Sequence, residues 1–362
     1  MAQRSPAPEG AIIRSRHTRQ KTPGGSAVGW LFGWPWIDPA ASFVLRRWYF
    51  RLSRFWAAAG AAGGSVDRFF EAVPLDPLRS PRYGIAELLT RFEQSRINAG
   101  AIDAAWRGAF FEGRGVDGGK PSDGECVALE TERLDASHRH NLMRFQFRNL
   151  LRLDTPRVKF DIPPPAEVEA LYGAALSDPS SLFTAPDPMP EVSISQSIPT
   201  PDGRDFWISF ASPSERLGDK VFARVYEPEG VTNPPTLIFG HGICIEFDHW
   251  RRLIDEVSTL RASGIRVIRP EAPWHGRRTP AGYYGGERIL STFPMGNLDM
   301  FTGAVREWAV LADWARRTST GPLAFGGSSL GALTAQLAAE RSRDWPTGAR
   351  PQAPVLDRKS VV

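Results

Sequence analysis

Leu323-Ala-Phe-Gly-Gly-Ser-Ser-Leu-Gly-Ala332 is the stretch on which the fold turns. A short apolar run (Leu323-Ala-Phe325) meets the pentapeptide Gly327-Ser328-Ser329-Leu330-Gly331, and an Ala-rich segment follows from Ala332 to Ala339. This is G-x-S-x-G placed between a strand and a helix. The glycines are needed because the turn is sharp, and a Cβ at either flank would strike neighbouring backbone. Such a turn lifts the Ser329 hydroxyl above the C-terminal edge of a sheet. There the first turn of the next helix offers N–H groups to developing negative charge. Ser329 is therefore the expected nucleophile, held by Gly327 and Gly331.

Upstream of that turn, strand and helix patterns alternate. Val192 to Ile198 and Phe206 to Phe210 alternate apolar and polar residues around the turn Pro201-Asp-Gly203, which predicts a hairpin. Val221 to Tyr226 is a third strand. Thr236-Leu-Ile-Phe239 and Ile265 to Ile268 are continuous apolar runs, as in strands covered on both faces. Helices are expected from about His249 to Ser263 and along the stripe Phe301, Ala304, Val305, Trp308, Leu311 and Ala312. The alternation predicts an α/β fold, a mostly parallel sheet with helices on both faces.

His241-Gly242-Ile243 follows the Thr236–Phe239 strand. A loop in this place can supply a second oxyanion donor, here the Ile243 N–H, beside the N–H of Leu330. His241 is expected to brace the loop and Cys244 to fill a small buried space. His275, in Glu271-Ala-Pro-Trp-His-Gly-Arg-Arg-Thr-Pro280, could be a base, but ordering of its own loop is the favoured role. Arg277 and Arg278 either meet an anionic substrate group or pair with Glu271 or Glu287. Tyr283, Tyr284 and Phe293 either line an acyl pocket or pack.

Together, Gly240-His-Gly-Ile243, the 271–280 segment and Gly326-Gly-Ser-Ser-Leu-Gly331 resemble a bacterial subgroup of the α/β-hydrolase superfamily. More distantly they resemble eukaryotic α/β-hydrolase-domain proteins. The resemblance implies acyl transfer to water: a serine attacks an ester or thioester carbonyl, and a histidine oriented by an acid takes its proton. It covers residues 190–356. No cofactor motif or metal-ligand spacing is read, so neither a cofactor nor a metal is expected.

In this family the chain order is Ser, then acid, then His. Only 33 residues follow Ser329, with Glu340, Asp344 and Asp357 but no histidine. The triad acid and base are therefore expected to be missing from this chain, which reads as a truncated, inactive fragment. Residues 357–362 (Asp-Arg-Lys-Ser-Val-Val) read as a non-native tail. The rival reading is a non-catalytic scaffold of the same fold that binds lipid or protein.

Residues before 190 lie outside the resemblance. Residues 1–28 read as a disordered basic arm and 29–180 as a mainly helical region. Residues 1–60 hold nine Arg/Lys against two acidic residues, while the other 302 sum to −3 within an overall +4. A helix is expected from about Ala40 to Ala59, stopped by Gly60, Gly63 and Gly64, with an aromatic stripe opposite Arg46, Arg47, Arg51 and Arg54. That pattern suits either packing on the body of the protein or an anionic membrane surface as partner. Nucleic acid is not expected, because no basic stripe or recognition motif follows. His138 and His140 read as surface residues. Two cysteines, Cys126 and Cys244, with no secretory signal favour a reducing, cytoplasmic setting, with peripheral membrane contact allowed. At 42% apolar and 23% charged residues, the chain can bury a sizeable core.

Overall fold

The computed structural model describes residues 43–73, 82–115, 118–153, 157–243 and 256–357. The expected basic arm, Cys244 and residues 358–362 lie outside the described residues. The N-terminal helix is described from Phe43, passes through a π-turn at Leu45–Tyr49 and continues as α1 (Phe50–Ala62). It runs through Gly60 and stops at Gly63, whose φ of 55° is a left-handed C-cap conformation. Then come α2 (Val66–Ala72), α3 (Arg82–Glu112) and α4 (Asp123–Leu142). Ser122 and Glu125 form a capping box that satisfies the first amides of α4. A 3-10 turn (Met143–Arg152) and α5 (Pro165–Tyr172) complete the helical region. Its core is aromatic: Phe55 and Phe69 stack on Phe147 with ring centroids 6.2 and 5.9 Å apart.

The side assigned to the arginines of the first helix needs correction. Arg46 and Arg47 are exposed, but Arg51 and Arg54 are buried and bonded: Arg51 donates to the Leu153 carbonyl and Arg54 to Glu287. A helical wheel assumes one buried face. Here the helix is contacted on opposite sides, by apolar residues and by buried acceptors. Phe43, Val44 and Trp48 of its first turns stay 64, 49 and 57% exposed.

One sheet organises the rest of the chain. Its strands are β1 (Ser193–Ile194), β2 (Ile198–Thr200), β3 (Gly203–Ala211), β4 (Lys220–Pro228), β5 (Thr236–Gly240), β6 (Arg266–Pro270), β7 (Leu323–Ser328) and β8 (Ala353–Asp357). The order is β1-β3-β4-β6-β5-β7-β8, with β2 also beside β3. The hairpin region up to the β4–β6 pair is antiparallel, whereas β6-β5-β7-β8 is parallel. The sheet is thus mixed, and its parallel part is the one connected by helices.

Those connections are α6 (Glu256–Ala262), α7 (Glu287–Ser291), α8 (Met295–Thr318) and α9 (Leu330–Arg341). β5 is buried throughout, as its unbroken apolar run predicts. Val305, Trp308, Leu311 and Ala312 of α8 pack with Ile208, Ile238, Phe325 and, from α9, Ala335 and Ala338. Val257 of α6 meets Tyr226, Leu237 and Val267 on the other face. The fold class expected from the sequence, α/β behind a helical N-terminal region, is present. No described helix is long and apolar enough to cross a membrane.

Candidate active site

Ser329 sits between the end of β7 and the start of α9 with φ 52° and ψ −117°. These are the angles of the first central residue of a type II′ turn, a place normally left to glycine. Holding a serine there costs roughly 1–3 kcal/mol, which surrounding structure must supply. It does so through backbone packing. A Cβ at Gly331 would overlap the carbonyl of Gly240, and one at Gly240 would lie 2.7 Å from the Gly331 Cα and 3.0 Å from the Trp308 ring. One at Gly327 would lie 2.8 Å from the Ala332 nitrogen. Three glycines thus let the first turn of α9 press directly against β5 and β7. In the sequence Gly240 enters only as part of Gly240-His-Gly-Ile243, with no packing role assigned; the signal was a glycine on each side of His241.

Register decides what faces the serine. β5 and β7 are parallel neighbours with Gly240 opposite Gly327, so Ile243 and Leu330 each lie three residues beyond a paired position. Both side chains join one apolar cluster with Trp274, Ile289 and Met300. Neither the Ile243 nor the Leu330 amide donates a hydrogen bond to another described residue. The Ser329 side chain is half-buried and does not cap α9.

His241 and His275 are 2% and 1% exposed, with their rings edge to face at 4.9 Å. His241 Nδ1 lies 2.8 Å from the Gly242 carbonyl, and its Nε2 accepts the Ala272 N–H at 3.1 Å. That pair of partners fixes a neutral ring protonated on Nδ1. Burial pushes its pKa down to about 3, helped by the neighbouring His275. His275 donates from Nδ1 to the Pro273 carbonyl at 2.9 Å, and burial lowers its pKa to about 4. Both rings tie the loop after β5 to the loop after β6. Trp274, next to His275 in the chain, has φ 61°. Two of the three non-glycine residues with positive φ among the described residues, Trp274 and Ser329, therefore belong to this site.

The flanking charges are ion-paired internally. Arg277 pairs with Glu271 and Asp103 and stacks over Trp207 at 4.6 Å; Arg278 pairs with Asp219 and Glu307. Glu287 binds Arg54 rather than either of them. Arg277 and Arg278 line a cavity of about 550 Å³ between α3, α4 and the 271–285 segment, and Ser329 is not in its wall. Tyr284 is buried and donates to the Arg157 carbonyl, while Phe293 is 57% exposed. Glu340 is exposed on α9 near Arg341 and Arg343. His140, read as a surface residue, instead packs at a tilt against Trp56 and Phe92, with ring centroids 5.2 and 4.9 Å away, and burial lowers its pKa to about 4.

The strand, strained serine and helix, with an adjacent parallel strand delivering a second loop, define the architecture. The fold is α/β, with this bend set in the parallel part of a mixed sheet. No protein-family model and no curated sequence matches the chain. Among solved structures it is similar to a cold-adapted esterase from an Arctic intertidal metagenomic library, at 16% identity and TM-score 0.34, over 44% of this chain and 63% of that one. It is also similar to acetyl xylan esterase 1 from Thermoanaerobacterium sp. JW/SL YS485, at 16% identity and TM-score 0.36, over 52% of this chain and 58% of that one. A thermostable carboxyl esterase from Bacillus coagulans aligns at 18% identity and TM-score 0.30, over 42% and 43%. The chain spans less than two thirds of each of these proteins, and the likenesses are partial.

Proposed function

We propose that this chain carries the nucleophile and oxyanion half of a serine hydrolase acting on an ester or thioester. The observation that supports it best is Ser329 itself: a serine in a glycine-type backbone conformation at the mouth of a helix, over a sheet edge. In this reading Ser329 Oγ attacks the acyl carbonyl. The N–H groups of Ile243 and Leu330 take up the negative charge that develops on the carbonyl oxygen. One such donor typically contributes ~3–4 kcal/mol to transition-state stabilisation. Gly327, Gly331, Gly242, His241 and His275 hold the two loops in place.

The proton acceptor is the open part of the mechanism. Both nitrogens of His241 are engaged with backbone, and His275 is buried and gives its Nδ1 proton to a carbonyl rather than to an acid. With both nitrogens of His241 engaged and no acid orienting His275, we propose that this chain acylates slowly and turns over poorly. A fluorophosphonate probe tests the assignment: peptide mapping should place the adduct on Ser329, and S329A should abolish it. An adduct on another residue, or none after prolonged incubation with excess probe, defeats the nucleophile assignment.

The engagement of both His241 nitrogens also supports a second reading, a scaffold of the same fold without catalysis. Membrane contact is retained as a proposal for a smaller patch than residues 40–59, because Arg51 and Arg54 are turned inward. The remaining surface is Phe43, Val44 and Trp48 beside Arg46 and Arg47. Apolar rings flanked by guanidinium groups suit the headgroup layer of an anionic bilayer. Sedimentation with anionic vesicles at low salt should lose the protein on F43S/W48S substitution; equal pelleting of both forms would refute the contact.

A further inference from the structure

We infer that Arg54 is a positioning residue for the oxyanion loop, so that the N-terminal helical region is part of the active-site machinery. This rests on the reading of Ile243 as an oxyanion donor. Arg54 lies on α1, 233 residues before its partner Glu287, and the side chains are 2% and 0% exposed. Its Nη1 donates to both carboxylate oxygens at 2.7 and 2.6 Å, and its Nη2 to the Gly282 carbonyl at 2.5 Å. The same carboxylate accepts the amides of Lys159 at 2.9 Å and Tyr284 at 3.1 Å. One buried charge pair therefore gathers α1, the segment before α5 and the loop that opens α7.

What that loop touches makes the pair more than a staple. Gly286, immediately before Glu287, has φ 77°, and a Cβ there would lie 2.6 Å from His275 Nε2 and 2.9 Å from Ile243 Cγ1. Ile289, two residues after Glu287, packs in the cluster that contains Ile243 and Leu330. The backbone around Gly286 is thus the wall against which His275 and the Ile243 loop rest. Arg54 fixes that wall through Glu287. Loss of the guanidinium would leave a buried carboxylate unpaired, a cost relieved most directly by opening the 282–291 loop. Release of that loop removes the support behind Ile243.

Hydrogen exchange of the full chain, followed by mass spectrometry, tests this without requiring reaction at Ser329. R54M should speed exchange by about tenfold or more in peptides covering 284–291 and in those covering 271–275, where the Ala272 amide donates to His241, while 304–315 of α8 stays protected. R54K should restore part of the protection, since an ammonium can meet the carboxylate but cannot also span to Gly282. E287Q should give the same two-segment pattern, and it decides the matter together with R54K if R54M does not fold. Loosening confined to 284–291, or spread evenly into α8, overturns the proposal. Fluorophosphonate labelling is then read separately. A wild-type chain that fails to label removes the hydrolase reading but leaves the loop coupling intact. Labelling of folded R54M or E287Q at the wild-type rate removes the positioning role while leaving Ser329 as nucleophile.

Discussion

Two regions of this molecule hold their geometry by opposite means. Around the elbow, precision comes from absent atoms: Gly240, Gly327 and Gly331 let backbones meet, and a serine is kept in a conformation it does not favour. At the join between helical region and sheet, it comes from buried charge. Glu130 of α4 accepts Arg133 and Arg224; Arg224 reaches on to Asp205, which also takes Arg261. All five of these side chains are at most 5% exposed. The difference teaches that steric fit sets the reacting atoms, while ion pairs fasten a large accessory region to them. Buried pairs are poor sources of net stability but are costly to break singly, so they act as locks.

The sharpest way to break this contrast is G331A. With the added methyl overlapping the Gly240 carbonyl, we expect a loss above about 3 kcal/mol or no folded protein, measured by urea denaturation. A near-neutral result would mean that the elbow is not close-packed. E130A should rank next, at about 3–5 kcal/mol, because it removes the buried carboxylate that two buried guanidinium groups share. The exposed pair Arg96–Glu93 is the control: E93A should cost no more than about 1 kcal/mol. Equal losses for E130A and E93A would erase the distinction between lock and surface pair.

Acid should act on the histidines of both regions. His241, His275 and His140 have folded pKa values near 3, 4 and 4, below the ordinary 6.5, because burial penalises the charged ring. The unfolded chain therefore binds protons that the folded chain refuses. Their contribution is fully present above pH 6.5 and is lost as pH falls from 6.5 towards 4. H275Q should flatten part of that decline in denaturation midpoints. An unchanged slope would show that His275 does not titrate as its burial implies. The smallest expected effect is at the nucleophile. S329G should be more stable than S329A by about 1 kcal/mol, since only glycine relieves the strained φ and ψ. Calorimetry that finds S329A the more stable would argue against strain at the elbow.

The sequence carried the elbow well because its signal is local. A Gly-x-Ser-x-Gly between an apolar run and an alanine-rich run describes a strand, a sharp turn and a helix within twenty residues, and the apolar runs of β5 and β6 are equally local. The partners of buried charge were not legible in the same way. Arg54 and Glu287 are 233 residues apart, and an arginine on a helical wheel is read as facing water. His140 failed for the same reason: its polar neighbours in sequence hide Trp56 and Phe92, which come from other helices. The antiparallel half of the sheet was half visible, since the hairpin strands and the third strand were read but the pairing of β4 onto β6 was not.

By itself, the order of residues determined an α/β domain, a serine at a glycine-flanked bend and a helical region ahead of it. Periodicity and turn chemistry act over a few residues, so they survive in one dimension. Only the tertiary structure decided that Ile243 and Leu330 lie equally far beyond the paired ends of adjacent parallel strands, that both nitrogens of His241 are taken, and that α1 reaches the loop behind the site. Register, tautomer and buried pairing depend on which distant segments share a dielectric and a surface. That information exists once the chain has closed on itself.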